Sequence, residues 1–160
     1  GNLAQRSLSM VAKNLEGTVP EPGEFTQEDR EMLAQADAVV ADYRAAFDSL
    51  AFHRGLESVW RVIASANRYF TAQQPWVLRK TDPERMATVL YVTAEVLRIV
   101  ALLVQPIMPG SMSRLLEQLG QPEGEARGFE ALGTRIAPGT VLPKPSGVFP
   151  RYEEPEALQG

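Results

Sequence analysis

The stretch Asn67-Arg68-Tyr69-Phe70-Thr71-Ala72-Gln73-Gln74-Pro75-Trp76 is where the reading of the chain turns. An apolar helical stripe runs into it from upstream, and a proline interrupts it. Proline cannot donate to the helical ladder and pushes the residue before it toward extended backbone, so the helix is predicted to stop at about Gln74. Trp76 then stands on a loop beside a rigid helix end, positioned by Pro75. Its residue type favours a lid folded back over the core. Its placement makes it also a candidate platform on which a planar group can stack.

Working outward, Phe52, Leu56, Val59, Trp60, Ile63 and Phe70 share one side of a helix predicted over about residues 52 to 74. Asn67 lies in the same stripe. A buried amide must find partners, so Asn67 is expected to support the structure by bonding backbone groups near the Pro75 break. A preceding helix, from about Gln27 to Leu50, carries Met32, Leu33, Ala36, Val39, Val40, Tyr43, Phe47 and Leu50 at amphipathic spacing. Thr26 is its N-cap, and Glu28, Asp29 and Glu31 read as a solvated face that suits the positive helix end. The first helix, residues 2 to about 15, turns Ala4, Leu8, Val11 and Leu15 to one side and Asn2, Arg6, Ser9 and Lys13 to the other.

Downstream, Asp82-Pro83-Glu84 is a helix start, an N-cap followed by proline at the first helical position. That helix continues to about Val104 and is apolar on nearly every side, as the central member of a bundle is. Pro106 and Pro109 break it, and Ser111 to Leu119 forms a fifth, short helix closed by Gly120. Residues 121–160 are rich in glycine and proline. A turn of helix is expected at Gly128 to Leu132, and extended backbone over Val141 to Tyr152 with a turn at 145–147. The fold class is therefore all-α: a bundle of about five helices in residues 1–120, then an irregular tail in residues 121–160 that packs on the bundle or on a catalytic domain outside this segment.

At 160 residues the chain fits one domain with a real core. It has no cysteine, which removes disulfides and thiolate metal sites and suits a reducing, cytoplasmic setting. The longest uninterrupted apolar run, Ile99 to Val104, is far shorter than the roughly 20 residues of a membrane helix. No signal-peptide pattern opens the chain, and its start at Gly-Asn reads as the interior of a longer protein. A net charge of -4 argues against broad nucleic-acid binding, so neither DNA nor a membrane is an expected partner and any RNA contact must be local. His53 is the single histidine and, without cysteine, makes no metal cluster. No glycine-rich or Walker-type phosphate loop occurs, so no catalytic residue is expected.

Asn67-Arg68-Tyr69-Phe70 followed by Gln73-Gln74-Pro75-Trp76 resembles the anticodon-binding region of the methionyl-tRNA synthetase family. Asn2-Leu3-Ala4-Gln5-Arg6, Gln105-Pro106-Ile107-Met108-Pro109 and Gly147-Val148-Phe149-Pro150-Arg151 carry the same resemblance, in the family's order. It implies a helical anticodon-binding domain of bacterial or organellar type, a monomer that selects methionine tRNA through the CAU anticodon. It also implies that Asn2 and Arg6 contact the first anticodon base, that Trp76 stacks on an unstacked base with Pro75 positioning the indole, and that Lys13 meets a phosphate or another base.

The chemistry agrees: cytosine offers O2 and N3 as acceptors and its amino group as donor, whereas uracil presents a donor at N3. His53 lacks the second histidine of the family's His-x-Gly-His signature, and the Lys-Met-Ser-Lys-Ser pattern is missing. The resemblance therefore implies no cofactor in this segment, with ATP used by an upstream Rossmann-type catalytic domain of the parent enzyme. Two alternatives stay open at this point. One is a helical protein-interaction module in which Trp76 anchors a partner; the other is the equivalent domain of the valine, isoleucine or cysteine enzyme.

Overall fold

A computed structural model describes residues 1–149 of the chain. Six α-helices follow one another: α1 (Asn2–Asn14), α2 (Gln27–Asp48), α3 (Phe52–Gln73), α4 (Pro75–Thr81), α5 (Pro83–Val104) and α6 (Pro109–Gln118). Two short 3-10 turns, Glu125–Arg127 and Phe129–Gly133, come after them. The five helices expected from periodicity are all present, and α4 is added where a loop was expected. No strand forms among the described residues, whose only β pairing is a single antiparallel bridge between Thr18 and Val141.

The fold is organised around α5, against which α1, α2, α3, α4 and α6 all pack. It alone among the described helices is long and apolar enough to cross a membrane, and it is enclosed by its neighbours over nearly its whole length. Full burial of side chains such as Leu90, Ile99 and Leu103 stabilises by about 1.5–3 kcal/mol each, so an all-round apolar helix is best placed at the centre.

Local signals set the helix ends. The Thr26 hydroxyl accepts from the Asp29 N–H, and the Asp29 carboxylate accepts from the Thr26 N–H, a reciprocal capping box. Asp82 caps α5 by accepting the Arg85 N–H at 3.0 Å. After α6, Gly120 has φ +67°, and a Cβ there would sit 2.5 Å from Thr140 Cγ2 and 3.0 Å from the Val141 carbonyl. Only glycine meets both conditions.

Three expectations are corrected. Asp29 is not on a solvated face: its side chain is fully enclosed, while Glu28 and Glu31 are exposed. Leu50 lies beyond the end of α2 with φ 58° and is 75% exposed. Finally, α3 buries Gly55, Ser58, Val59, Val62, Ala66, Tyr69 and Phe70, leaving Phe52 and Trp60 about half exposed. The small residues explain that rotation. A Cβ at Gly55 would lie 3.1 Å from the Phe47 ring, so glycine lets α2 and α3 close on each other, and the face with small side chains is the one buried.

The tail lies on the bundle as far as it is described. Arg98, on α5, donates to both Glu95 oxygens at 2.9 Å, to the Ala131 carbonyl at 3.0 Å and to the Thr134 carbonyl. Glu95 also accepts the Ile136 N–H at 2.9 Å, and the Tyr91 hydroxyl donates to the Ile136 carbonyl at 3.0 Å. Ile136, Leu142 and Val148 are buried. Of the expected extended run and the Gly147–Arg151 motif, the positions from 150 onward lie outside the described residues.

Candidate nucleic-acid interface

The backbone turns sharply at Gln74, which has φ 49° and ψ 56° and serves both as the C-cap of α3 and the N-cap of α4. Its N–H donates to the Phe70 carbonyl at 3.2 Å, and its own carbonyl accepts from Val77 and Leu78 at 2.8 and 3.1 Å. Pro75 is buried at the first position of α4, where a missing N–H costs nothing and the fixed φ suits a helix. The residue that ends α3 therefore begins α4. Trp76 is consequently not on a loop: it stands in the first turn of α4, 39% exposed.

Arg6 reaches this corner from α1. Its guanidinium carbon lies 5.1 Å from the Phe70 ring centroid and 5.3 Å from the Trp76 ring, within cation–π range of both. The two rings are 6.0 Å apart and inclined at 54°, with Phe70 only 1% exposed. Phe70 is thus an inner wall and Trp76 the outer ring. Among the described residues no protein oxygen accepts from Arg6, so its five N–H donors are uncommitted to any acceptor.

The other expected residues divide. Asn2 is exposed one turn before Arg6, on the same face of α1. It borders an apolar cleft of about 480 Å³ whose walls include Trp60, Ile63, Val100 and Met108. Lys13 is exposed in the last turn of α1, roughly 10 Å along the axis from Arg6, where a cation also suits the negative helix end. The structure does not bring it to Trp76. Asn67 is exposed rather than buried and donates to the Ile63 carbonyl at 2.9 Å, one turn back on its own helix. It lines the cleft beside Asn2 and does not hold the Pro75 break.

The local charge differs from that of the chain as a whole. α1 and α4 carry Arg6, Lys13, Arg79 and Lys80 and no carboxylate. These two helices are locally cationic although the net charge is -4.

What braces the corner was not anticipated. The Asp29 carboxylate accepts from the Tyr69 hydroxyl at 2.5 Å, from the Thr26 N–H at 3.0 Å and from Arg85 at 2.5 and 2.8 Å. Arg85 in turn donates to the Gln73 side-chain oxygen at 2.7 Å. Burial pushes the Asp29 carboxyl up, but hydrogen bonds from Arg85, Tyr69 and Thr26 outweigh it and hold the group below its ordinary value. Burial and the bond to Asp29 push the Tyr69 hydroxyl up, so it stays a donor. One signal in the sequence pointed this way: Arg85 lies in the first turn of a helix, where a cation opposes the dipole unless a carboxylate receives it.

Known proteins resemble this chain in sequence and in fold. Residues 19–158 match the family described as the anticodon binding domain of methionyl tRNA ligase. The chain is 54% identical over 164 residues to the methionine–tRNA ligase of Mycobacterium tuberculosis strain H37Rv, with 100% of this chain and 31% of that protein aligned. It is 54% identical over 154 residues to the enzyme of Brucella melitensis biotype 1, with 96% and 30% aligned. The crystal structure of apo Mycobacterium tuberculosis methionyl-tRNA synthetase matches at a TM-score of 0.93 and 55% identity, covering 97% of this chain and 32% of that one. The chain spans about a third of the length of the relatives it matches. With the family match over most of its length and these relatives aligned across the α1 and α4 site as well, the chain belongs to the methionyl-tRNA ligase anticodon-binding domain family.

Proposed function

We propose that the chain reads the CAU anticodon of methionine tRNA for a parent methionine–tRNA ligase. The carrying observation is the Arg6 guanidinium set against Phe70 and Trp76, its donors uncommitted among the described residues, one helical turn from Asn2. Arg6 donates to O2 and N3 of the first anticodon base, and the Asn2 amide oxygen accepts from its amino group. Uracil would set its N3 donor against the guanidinium. Trp76 supplies stacking, typically worth about 1–3 kcal/mol per base and tolerant of sequence. Pro75 fixes the ring at the start of α4, and Lys13 meets a phosphate further along α1. Activation of methionine with ATP and its transfer to tRNA belong to an upstream catalytic domain of the parent enzyme.

The test is binding of the 160-residue chain to anticodon stem-loops that differ only in the anticodon. CAU is expected to bind at least about tenfold more tightly than UAU, the discrimination of one well-made polar contact. Equal affinity for all anticodons would contradict the reading. No binding to any stem-loop would favour a protein partner for Trp76.

A further inference from the structure

The helix that carries Trp76 is gripped at both ends by one residue. We propose that Arg85 is a clamp that sets where the Trp76 ring stands, acting through Gln73 as a positioning residue; this rests on the anticodon-reading role proposed above. The Arg85 Nη2 donates to Gln73 Oε1 at 2.7 Å, and Gln73 is the last residue of α3, immediately before the left-handed Gln74. At the other end, the Arg85 backbone N–H donates to Asp82 Oδ1 at 3.0 Å, and Asp82 closes α4 while capping α5. α4 is strung between these two contacts.

The clamp itself is fixed. Both terminal guanidinium nitrogens of Arg85 engage Asp29, whose side chain is fully enclosed and bound at the same time by Tyr69 on α3 and by the capping box of α2. What it holds is weak by itself. α4 has 7 residues, and isolated helices shorter than about 12–15 residues are marginal in water. Its entry residue Gln74 takes a left-handed conformation that disfavours a side chain, so the corner persists only because its surroundings impose it. Gln73 makes no other side-chain hydrogen bond among the described residues. Without that bond the α3 end is free to unwind, and the indole loses its register against Arg6 and Phe70.

The chain has 2 tryptophans, so a Trp60→Phe background leaves Trp76 as the sole reporter. In that background Gln73→Leu removes the acceptor and leaves the Asp29–Arg85 pair in place. Expected are an unchanged thermal midpoint, a faster indole anisotropy decay with red-shifted emission, and an affinity for the CAU stem-loop lower by about tenfold, the usual penalty of a loosened site. Gln73→Glu keeps an oxygen for Arg85 and is expected to restore all three signals. Parent-like anisotropy and emission in Gln73→Leu, or failure of Gln73→Glu to restore them, would overturn the clamp. Altered fluorescence with undiminished stem-loop affinity would overturn its role in binding. If the parent does not bind the stem-loop, the anticodon-reading role fails, and the fluorescence arm still decides the clamp.

Discussion

Asp29 and Arg85 form a two-pronged ion pair at 2.5 and 2.8 Å, with the Asp29 side chain fully enclosed and that of Arg85 only 16% exposed. Taking two charges out of water costs several kcal/mol per ion, and the pair persists because every lone pair of the carboxylate meets a donor. Removing one partner is therefore worse than removing both. Arg85→Met is expected to lower stability by about 3–5 kcal/mol in urea unfolding, and the double variant Asp29→Leu with Arg85→Met to recover much of that loss. A single-variant loss under about 1 kcal/mol, the range of an exposed pair, would contradict this.

The same pair gives stability an acid limb. The folded-state pKa of Asp29 is depressed, so on acidification the unfolded chain takes up the proton first. The stabilising contribution is fully present above the unfolded-state value of about 4 and is lost as pH falls below it through the folded-state value. Between about pH 5 and 7 Asp29 is ionised in both states and adds almost no slope. Below about pH 4 the urea midpoint is expected to fall more steeply in the wild type than in Asp29→Asn. Equal slopes in the two proteins would contradict the assignment.

Trp76 and Phe70 touch but do different work. Phe70 is 1% exposed, so Phe70→Ala is expected to destabilise by about 3–5 kcal/mol. Trp76 is 39% exposed, so Trp76→Ala is expected to lower stability by only about 1 kcal/mol while weakening stem-loop binding by about 1–3 kcal/mol. Thermal unfolding and stem-loop titration separate the two. A large stability loss in Trp76→Ala with binding per folded molecule preserved would make the indole a lid.

On the far side of the bundle, Arg98 is 2% exposed and holds the Ala131 and Thr134 carbonyls as well as Glu95. Arg98→Met is expected to cost about 3–5 kcal/mol and to speed amide exchange at Ile136, because the enclosed Glu95 keeps only the Ile136 N–H and a 3.4 Å contact from Arg135. Arg135 bonds Asp37, where both side chains are close to half exposed, and reaches Glu95 only at a long 3.4 Å, so Arg135→Ala is expected to cost less than about 1 kcal/mol. Equal losses in the two variants would contradict the distinction.

Much of this was legible in the chain because the signals are local. Thr26 caps α2, Asp82-Pro83 starts α5 within two positions, and the Ala4, Leu8 and Val11 stripe buries as its spacing requires. The polar face opposite it, with Asn2 and Arg6, is exposed. What escaped depends on distance or on ambiguity. Asp29 meets Arg85 across 56 residues, a pairing that no local pattern announces. Pro75 carries two meanings at once, since a proline that ends one helix is also suited to begin the next. In α3, apolarity pointed to Trp60, whereas packing selected the side with Gly55, Ser58 and Ala66, where α2 could approach. Asn67 was misplaced by the same rotation.

The central claim is that Arg6 reads the first anticodon base while Trp76 only stacks. Arg6 stands opposite the core face of α1, so its truncation is expected to leave the fold intact. The direct measurement is the ratio of dissociation constants for CAU and UAU stem-loops at one fixed salt concentration, in the wild type, Arg6→Ala and Trp76→Ala. Arg6→Ala is expected to narrow the preference for cytosine by about 1–3 kcal/mol, Asn2→Ala to do so less, and Trp76→Ala to weaken both stem-loops alike with the ratio kept. A wild-type ratio retained in Arg6→Ala, with both affinities lowered equally, would contradict base reading and reduce Arg6 to a phosphate contact.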